Sequence, residues 1–176
     1  MDIAKISAGI CPPSDVNVIV EIPLHGDPVK YEVCKASGAM VVDRFLHTAM
    51  TYPANYGFIP HTLSEDGDPV DVLVVSPIGV AVGSVMRASP IGVLLMEDEH
   101  GPDEKIIAVP HPKLSPAYKG VSSYQDLPEI QVSQIAHFFG HYKDLEPGKW
   151  VKILGWGGSE DACRKIEEAI LRARVE

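Results

Sequence analysis

Val16-Asn17-Val18-Ile19-Val20-Glu21-Ile22 places Val16, Val18, Val20 and Ile22 on one face of an extended chain and Glu21 on the other. Successive side chains of a strand point to opposite sides, so the segment predicts a strand with one apolar face. Past the turn-forming His25-Gly26-Asp27-Pro28 comes Lys30-Tyr31-Glu32-Val33, where Lys30 and Glu32 share a face. The two segments read as a hairpin, and one register would project Glu21, Lys30 and Glu32 from the same side. Short apolar runs recur at residues 40–42, 70–75, 84–87, 91–96 and 105–109, divided by Gly, Pro and acidic clusters. Short strands at that spacing predict a small barrel or a sandwich.

The pattern changes toward the C-terminal end. Asp126-Leu127-Pro128-Glu129 reads as a helix start, with Asp126 as cap, proline in the first turn and Glu129 three residues after the cap. A helix is predicted over residues 128–145, then a strand over 150–154, then a second helix capped by Ser159. In that last helix Cys163, Ile166 and Ile170 form an apolar stripe, which makes Cys163 a core residue. The chain is therefore expected to be α+β and mainly β, with two C-terminal helices.

With 176 residues the chain is expected to form a single domain over 1–176, large enough to fold without a metal or a disulfide. A formal charge of −9 argues against a nucleic-acid partner, whose binding needs clustered Lys and Arg. Cys11, Cys34 and Cys163 are far apart and lack zinc-type spacing, which fits unpaired thiols in a reducing cytoplasm. Met1-Asp2-Ile3-Ala4-Lys5 lacks the features of an export signal, and no apolar run approaches the roughly 18 residues of a membrane span.

Chemistry concentrates in Asp66-Gly67-Asp68-Pro69-Val70-Asp71. Neither a strand nor a helix would bring all three carboxylates to one side, but a turn would. Gly67 permits an unusual backbone angle, and Pro69 pushes Asp68 toward an extended conformation. Converging carboxylates repel unless cations neutralise them, and oxygen-only ligation suits a hard ion such as Mg²⁺, Mn²⁺ or Ca²⁺. Val70 stands where an EF-hand would need a ligand, so that loop is excluded. A second acidic cluster spans residues 97–105. If both loops reach one rim, Asp66, Asp71, Asp98 and Asp103 surround several cations, an arrangement suited to phosphoryl transfer. Such a reaction also needs groups for the phosphate, for which Lys30, Arg44, Tyr52, Tyr56, Lys105, Tyr142 and Lys143 are candidates. His137 and His141 have a zinc-compatible spacing, but Phe138 stands where a metalloprotease motif requires Glu. They are read as helix-face or subunit-interface histidines.

Together these segments resemble the soluble family I inorganic pyrophosphatases. The resemblance runs through Glu21-Ile22-Pro23, Lys30-Tyr31-Glu32, Val42-Asp43-Arg44, Tyr52-Pro53-Ala54-Asn55-Tyr56-Gly57, the acidic hexapeptide, Asp98-Glu99, Asp103-Glu104-Lys105 and His141-Tyr142-Lys143-Asp144. It implies an OB-like closed β-barrel of five strands with flanking hairpins and two C-terminal helices. It also implies Mg²⁺-dependent hydrolysis of pyrophosphate to two phosphates, with about three to four ions and Mn²⁺ or Zn²⁺ as substitutes. By the same resemblance Asp66, Asp71, Asp98 and Asp103 are metal ligands, with Asp71 bridging the two ions that share the attacking water. Glu21 and Glu32 act through metal-bound waters, and Asp68 is the general base. Lys30, Arg44, Tyr56, Lys105, Tyr142 and Lys143 bind the phosphoryl groups, and Tyr52 supports Asp68 or its neighbours. Short bacterial members assemble as hexamers of paired trimers, which sets the expected oligomer. The alternatives are hydrolysis of another phosphoanhydride, such as a nucleoside polyphosphate, and a non-catalytic OB-like module binding nucleic acid. The latter would need a basic groove with stacking aromatics, whereas this chain is acidic and 7% aromatic.

Overall fold

A computed structural model describes residues 1–175. Its strands are β1 (Val16–Ile22), β2 (Val29–Val33), β3 (Met40–Phe45), β4 (Asn55–Phe58), β5 (Asp71–Val74), β6 (Val85–Asp98), β7 (Gly101–Pro102), β8 (Lys105–Pro110) and β9 (Val151–Gly157). The helices are α1 (Glu129–His141) and α2 (Ser159–Ala173). β1 pairs with β4, β4 with β5, β5 with β8, β8 with β6, and β6 returns to β1. Five strands thus close on themselves, as expected for an OB-like fold, and closure leaves the ring without exposed edges. All these pairings are antiparallel except β5–β8.

β6 makes closure possible because its 14 residues serve several neighbours. Val85–Ala88 meets β1, the middle meets β8, and the far end meets β9 and β7. The expected separate runs at 84–87 and 91–96 are therefore one strand. Pro90 and Gly92 flank a register shift in its pairing with β8, where a missing N–H and a missing side chain are tolerated. β4 was not foreseen, because Asn55-Tyr56-Gly57-Phe58 lacks β-branched residues.

The expected β1–β2 hairpin does not form. β4 occupies one edge of β1 and β6 the other, so β2 pairs instead with β3 in a separate two-stranded sheet. Glu21 joins the two sheets, its Oε1 accepting a hydrogen bond from Val33 N at 2.7 Å. A register shift between Val20 and Ile22 also breaks the face read from sequence. Val16, Val18 and Val20 pack in one apolar cluster with Ala162 and Ile166 of α2, whereas Ile22 packs in the other with Phe138 and Phe139 of α1. β5 and β8 alternate between the same two clusters, so both their faces are buried and they read as continuous apolar runs.

α1 is shorter than residues 128–145 at both ends. Asp126 Oδ2 accepts from Ser122 N and Ser123 N within a preceding 3₁₀ turn, which leaves Pro128 at the helix start. Beyond His141 the chain coils into tight turns. Ser159 is the first helical residue of α2 rather than its cap, and Asp161 Oδ2 accepts from Gly158 N. Ala162, Ile166 and Ala169 form the buried face of α2, so Cys163 is rotated off it and half-exposed.

Gly57 lies where β1 and β4 approach closely. A Cβ there would stand 1.9 Å from Ile19 O, a backbone atom that cannot move without breaking the ladder. Gly57→Ala should lower stability by about 1–3 kcal/mol, the usual cost of overpacking. Urea unfolding would show this as a lower midpoint at constant slope, and an unchanged midpoint would contradict the fit.

Candidate active site

The acidic hexapeptide occupies the turn between β4 and β5. Thr62 pegs the base of the turn, its Oγ1 donating to Ile59 O at 2.6 Å and accepting from Val70 N at 2.9 Å. Above it, Gly67 takes φ of +88°, the left-handed angle that its lack of a side chain permits. Asp66 Oδ1 accepts from Asp68 N at 2.9 Å. Asp71 opens β5, and because β5 runs parallel to β8 with Val72 opposite Ile106, Asp71 stands beside Lys105. Lys105 Nζ lies 2.5 Å from Asp71 Oδ2 and also contacts Asp103 Oδ1. The lysine is only 4% exposed. Burial acts to discharge it, but Asp71 and then Asp103 outweigh that and hold its pKa well above the ordinary lysine range.

The β2–β3 sheet brings Lys30, Glu32 and Arg44. Lys30 contacts Glu32 and stands 3.4 Å from Asp43. Arg44 donates from Nε to Asp43 at 2.7 Å and from Nη1 to Glu146 Oε2 at 2.9 Å. Glu146 Oε1 is buried without a hydrogen-bond partner. Burial, followed by Asp71 and Glu32, pushes the Glu21 carboxyl up to about 7 despite the Val33 N–H and Lys30. Lys35, just past β2, reaches Asp68 Oδ1 at 2.9 Å.

The third wall comes from the turn after α1 and the end of β6. Lys143 Nζ donates to Asp98 Oδ2 at 2.7 Å. Burial works to raise the Asp98 pKa, yet Lys143 and the His100 N–H bring it below the usual carboxylate value. Tyr52, Tyr56 and Tyr142 pack with Phe138 and Phe139. Burial raises all three phenols, which keeps their hydroxyls protonated as potential donors. The Tyr52 ring sits between Tyr56 and Phe138, and it is Lys35 rather than Tyr52 that contacts Asp68.

All fourteen of the expected site residues line one cavity of about 590 Å³. Lys35 and Glu146 line it too, and neither was foreseen. Lys35 meets an acid 33 residues away and Glu146 an arginine 102 residues away, pairings with no local sequence pattern. His137 and His141 lie outside the cavity on the exposed side of α1, with ring centroids 4.5 Å apart and His141 Nδ1 2.8 Å from Asp144.

The donor set fits hard divalent cations. Nine acidic and five basic side chains line the cavity, so negative charge is in excess before any phosphate enters. Burial, then the neighbouring Asp71, Asp68 and Asp103, raise the Asp66 pKa. Among the described residues no three His, Cys, Asp or Glu side chains stand close enough to hold an ion as they lie. Lysines part them: Lys105 between Asp71 and Asp103, Lys143 on Asp98, and Lys35 on Asp68.

A family model described as inorganic pyrophosphatase matches residues 18–174. The inorganic pyrophosphatase of Rhodospirillum rubrum is 67% identical over 170 residues, covering 97% of this chain and 95% of its own. That of Caulobacter vibrioides is 60% identical over 172 residues, covering 98% and 97%. Among solved structures, the inorganic pyrophosphatase of Thermus thermophilus matches with a TM-score of 0.93 at 39% identity over 99% of both chains. The inorganic phosphatase of Anaplasma phagocytophilum matches with a TM-score of 0.95 at 46% identity over 97% of this chain and 99% of its own.

A cation near Glu21 favours its charged form, so ion binding lowers its pKa and expels a proton. Starting from about 7, addition of Mg²⁺ at pH 7 should release on the order of half a proton from Glu21. Titration calorimetry in two buffers of different ionisation enthalpy measures this. Glu21→Gln should abolish that fraction, and equal release by both proteins would contradict the assignment.

Proposed function

Since the chain belongs to the inorganic pyrophosphatase family, we propose that the 590 Å³ cavity is its reaction site, with the roles set out below. The protein is an enzyme, an inorganic diphosphatase that hydrolyses pyrophosphate to two phosphates. Its family works with a divalent cation, generally Mg²⁺. In the proposal Asp66, Asp71, Asp98 and Asp103 hold about three to four such ions, and Glu21 and Glu32 contact them through water. Magnesium bound there supplies positive charge for phosphoryl oxygens and lowers the pKa of a water toward neutrality.

The chain's own groups do the rest. Asp68 takes the proton of the attacking water as a new P–O bond forms and the bridging P–O bond breaks. Lys30, Arg44, Lys105 and Lys143 face the phosphoryl oxygens, where charge develops as the leaving phosphate departs. Lys105, held cationic by its neighbours, offers a fixed charge that need not be recruited during the reaction. Tyr56 and Tyr142 donate hydrogen bonds to the phosphates. One observation carries the assignment: acidic side chains from β1, β2, the β4–β5 turn, β6 and the β7–β8 connection meet five cationic ones in a single cavity.

The match over residues 18–174 supports one functional unit across the chain. Exposed Val42, Phe45, Leu145 and Trp150 support assembly, for which a hexamer of paired trimers is proposed. Free cysteines support a reducing, cytoplasmic setting. Among the described residues no helix is long and apolar enough to cross a membrane.

Phosphate release from pyrophosphate should require Mg²⁺ and exceed release from ATP; faster ATP turnover would point to a different phosphoanhydride. Asp71→Asn should weaken Mg²⁺ binding and lower turnover by about 100-fold. Asp68→Asn should leave Mg²⁺ affinity nearly unchanged, lower the rate by about 10²–10⁴-fold and alter its pH profile. A wild-type pH profile in Asp68→Asn would remove it from the base role.

A further inference from the structure

The two acidic loops are braced from behind by α2. Residues 165, 169 and 172 are spaced by four and three, so they share one face of that helix over about 10 Å. Lys165 Nζ lies 2.6 Å from Glu104 Oε1, next in sequence to Asp103. At the other end the helix grips the peptide of Leu63 from both sides. Leu63 N donates to Ala169 O at 3.0 Å, and Arg172 Nη1 donates to Leu63 O at 2.5 Å. Arg172 Nη2 also stands 3.9 Å from Glu65, beside Asp66. Ala162, Ile166 and Ala169 are buried against the ring, so the helix cannot shift along it without losing apolar packing.

The helix therefore spans the gap between the loops. Behind the main cavity lies a cleft of about 40 Å³ bordered by Asp66, Asp71 and Asp103 on one side and by Lys165 and Arg172 on the other. Neither Lys165 nor Arg172 lines the main cavity, so neither touches what that cavity holds. The β5–β8 ladder fixes Asp71, but Asp66 stands at the far end of a turn that the ladder does not reach. Like charges on the two loops, Asp66 and Asp103 among them, favour their separation.

We propose that Lys165 and Arg172 are positioning residues that set the separation of the Asp66 loop from the Asp103 loop, and through it the site's affinity for divalent cations. This rests on the site assignment above. The sign of the effect separates it from simple electrostatics. Removing a cationic side chain near carboxylates should strengthen cation binding by Coulomb attraction alone. Loss of the brace should weaken it.

The test is Mn²⁺ binding to the full-length, substrate-free protein, followed by the paramagnetic resonance signal of free Mn²⁺. Arg172→Met should weaken binding by about tenfold, the lower end for loss of an outer-shell support, and Lys165→Met by less. Arg172→Lys keeps the charge but loses the reach to Leu63 O, so it too should weaken binding several-fold. Saturating Mg²⁺ should restore turnover of these variants to near the wild-type value. A merely structural role would lower the melting temperature and leave Mn²⁺ affinity unchanged. Unchanged or tighter binding in folded Arg172→Lys and Lys165→Met overturns the proposal, and these milder variants decide the matter if Arg172→Met does not fold. Asp71→Asn serves as the reference: if it binds Mn²⁺ like wild type, the site assignment itself fails. If it loses Mn²⁺ while the α2 variants keep it, only the brace is refuted.

Discussion

Carboxylates gathered into one cavity repel each other, and much of this structure follows from how that repulsion is contained. Lys105 is the principal counterweight, a nearly buried ammonium set between Asp71 and Asp103. An isolated charge at that depth would be strongly disfavoured, so the lysine and the acids depend on one another. The same logic recurs at Lys143 with Asp98 and at Lys30 with Glu32 and Asp43. Containment is incomplete, since nine acidic side chains line the cavity against five basic ones. That residue of unbalanced charge is the property a cation-dependent site needs.

The closed ring gives this charge a rigid base. Parallel pairing of β5 with β8 sets Asp71 and Lys105 side by side without any loop geometry being involved. The length of β6 carries Asp98 out past the ring, where Lys143 from the turn after α1 meets it. Packing of α1 and α2 on the two apolar clusters buries both faces of the strands that bear the site.

Much of this was legible in the sequence, and the failures have physical causes. Strand β1 could be read to its end residues because seven consecutive residues kept one pattern. The acidic turn was legible because Gly67 and Pro69 restrict the backbone, and the family likeness placed the remaining site residues in one cavity. Pairing was not legible: β2 had an apparent neighbour in β1, but both edges of β1 were already taken by more distant strands. Helix ends were misjudged where Asp126 and Ser159 had other local uses or positions. Lys35, Glu146, Lys165 and Arg172 escaped notice because a charged side chain reveals its partner only after folding brings distant segments together.

The bond from Val33 N to Glu21 has a further meaning. A two-stranded sheet has little stability of its own, so the β2–β3 unit with Lys30, Glu32 and Arg44 behaves as an outrigger moored to the ring. Its mooring post is a nearly buried acid, and that burial pushes its carboxyl up to about 7. Val33 also shares an apolar cluster with Ile19 and Phe58 of the ring, so packing and the hydrogen bond together set where Lys30, Glu32 and Arg44 stand relative to the acidic turn.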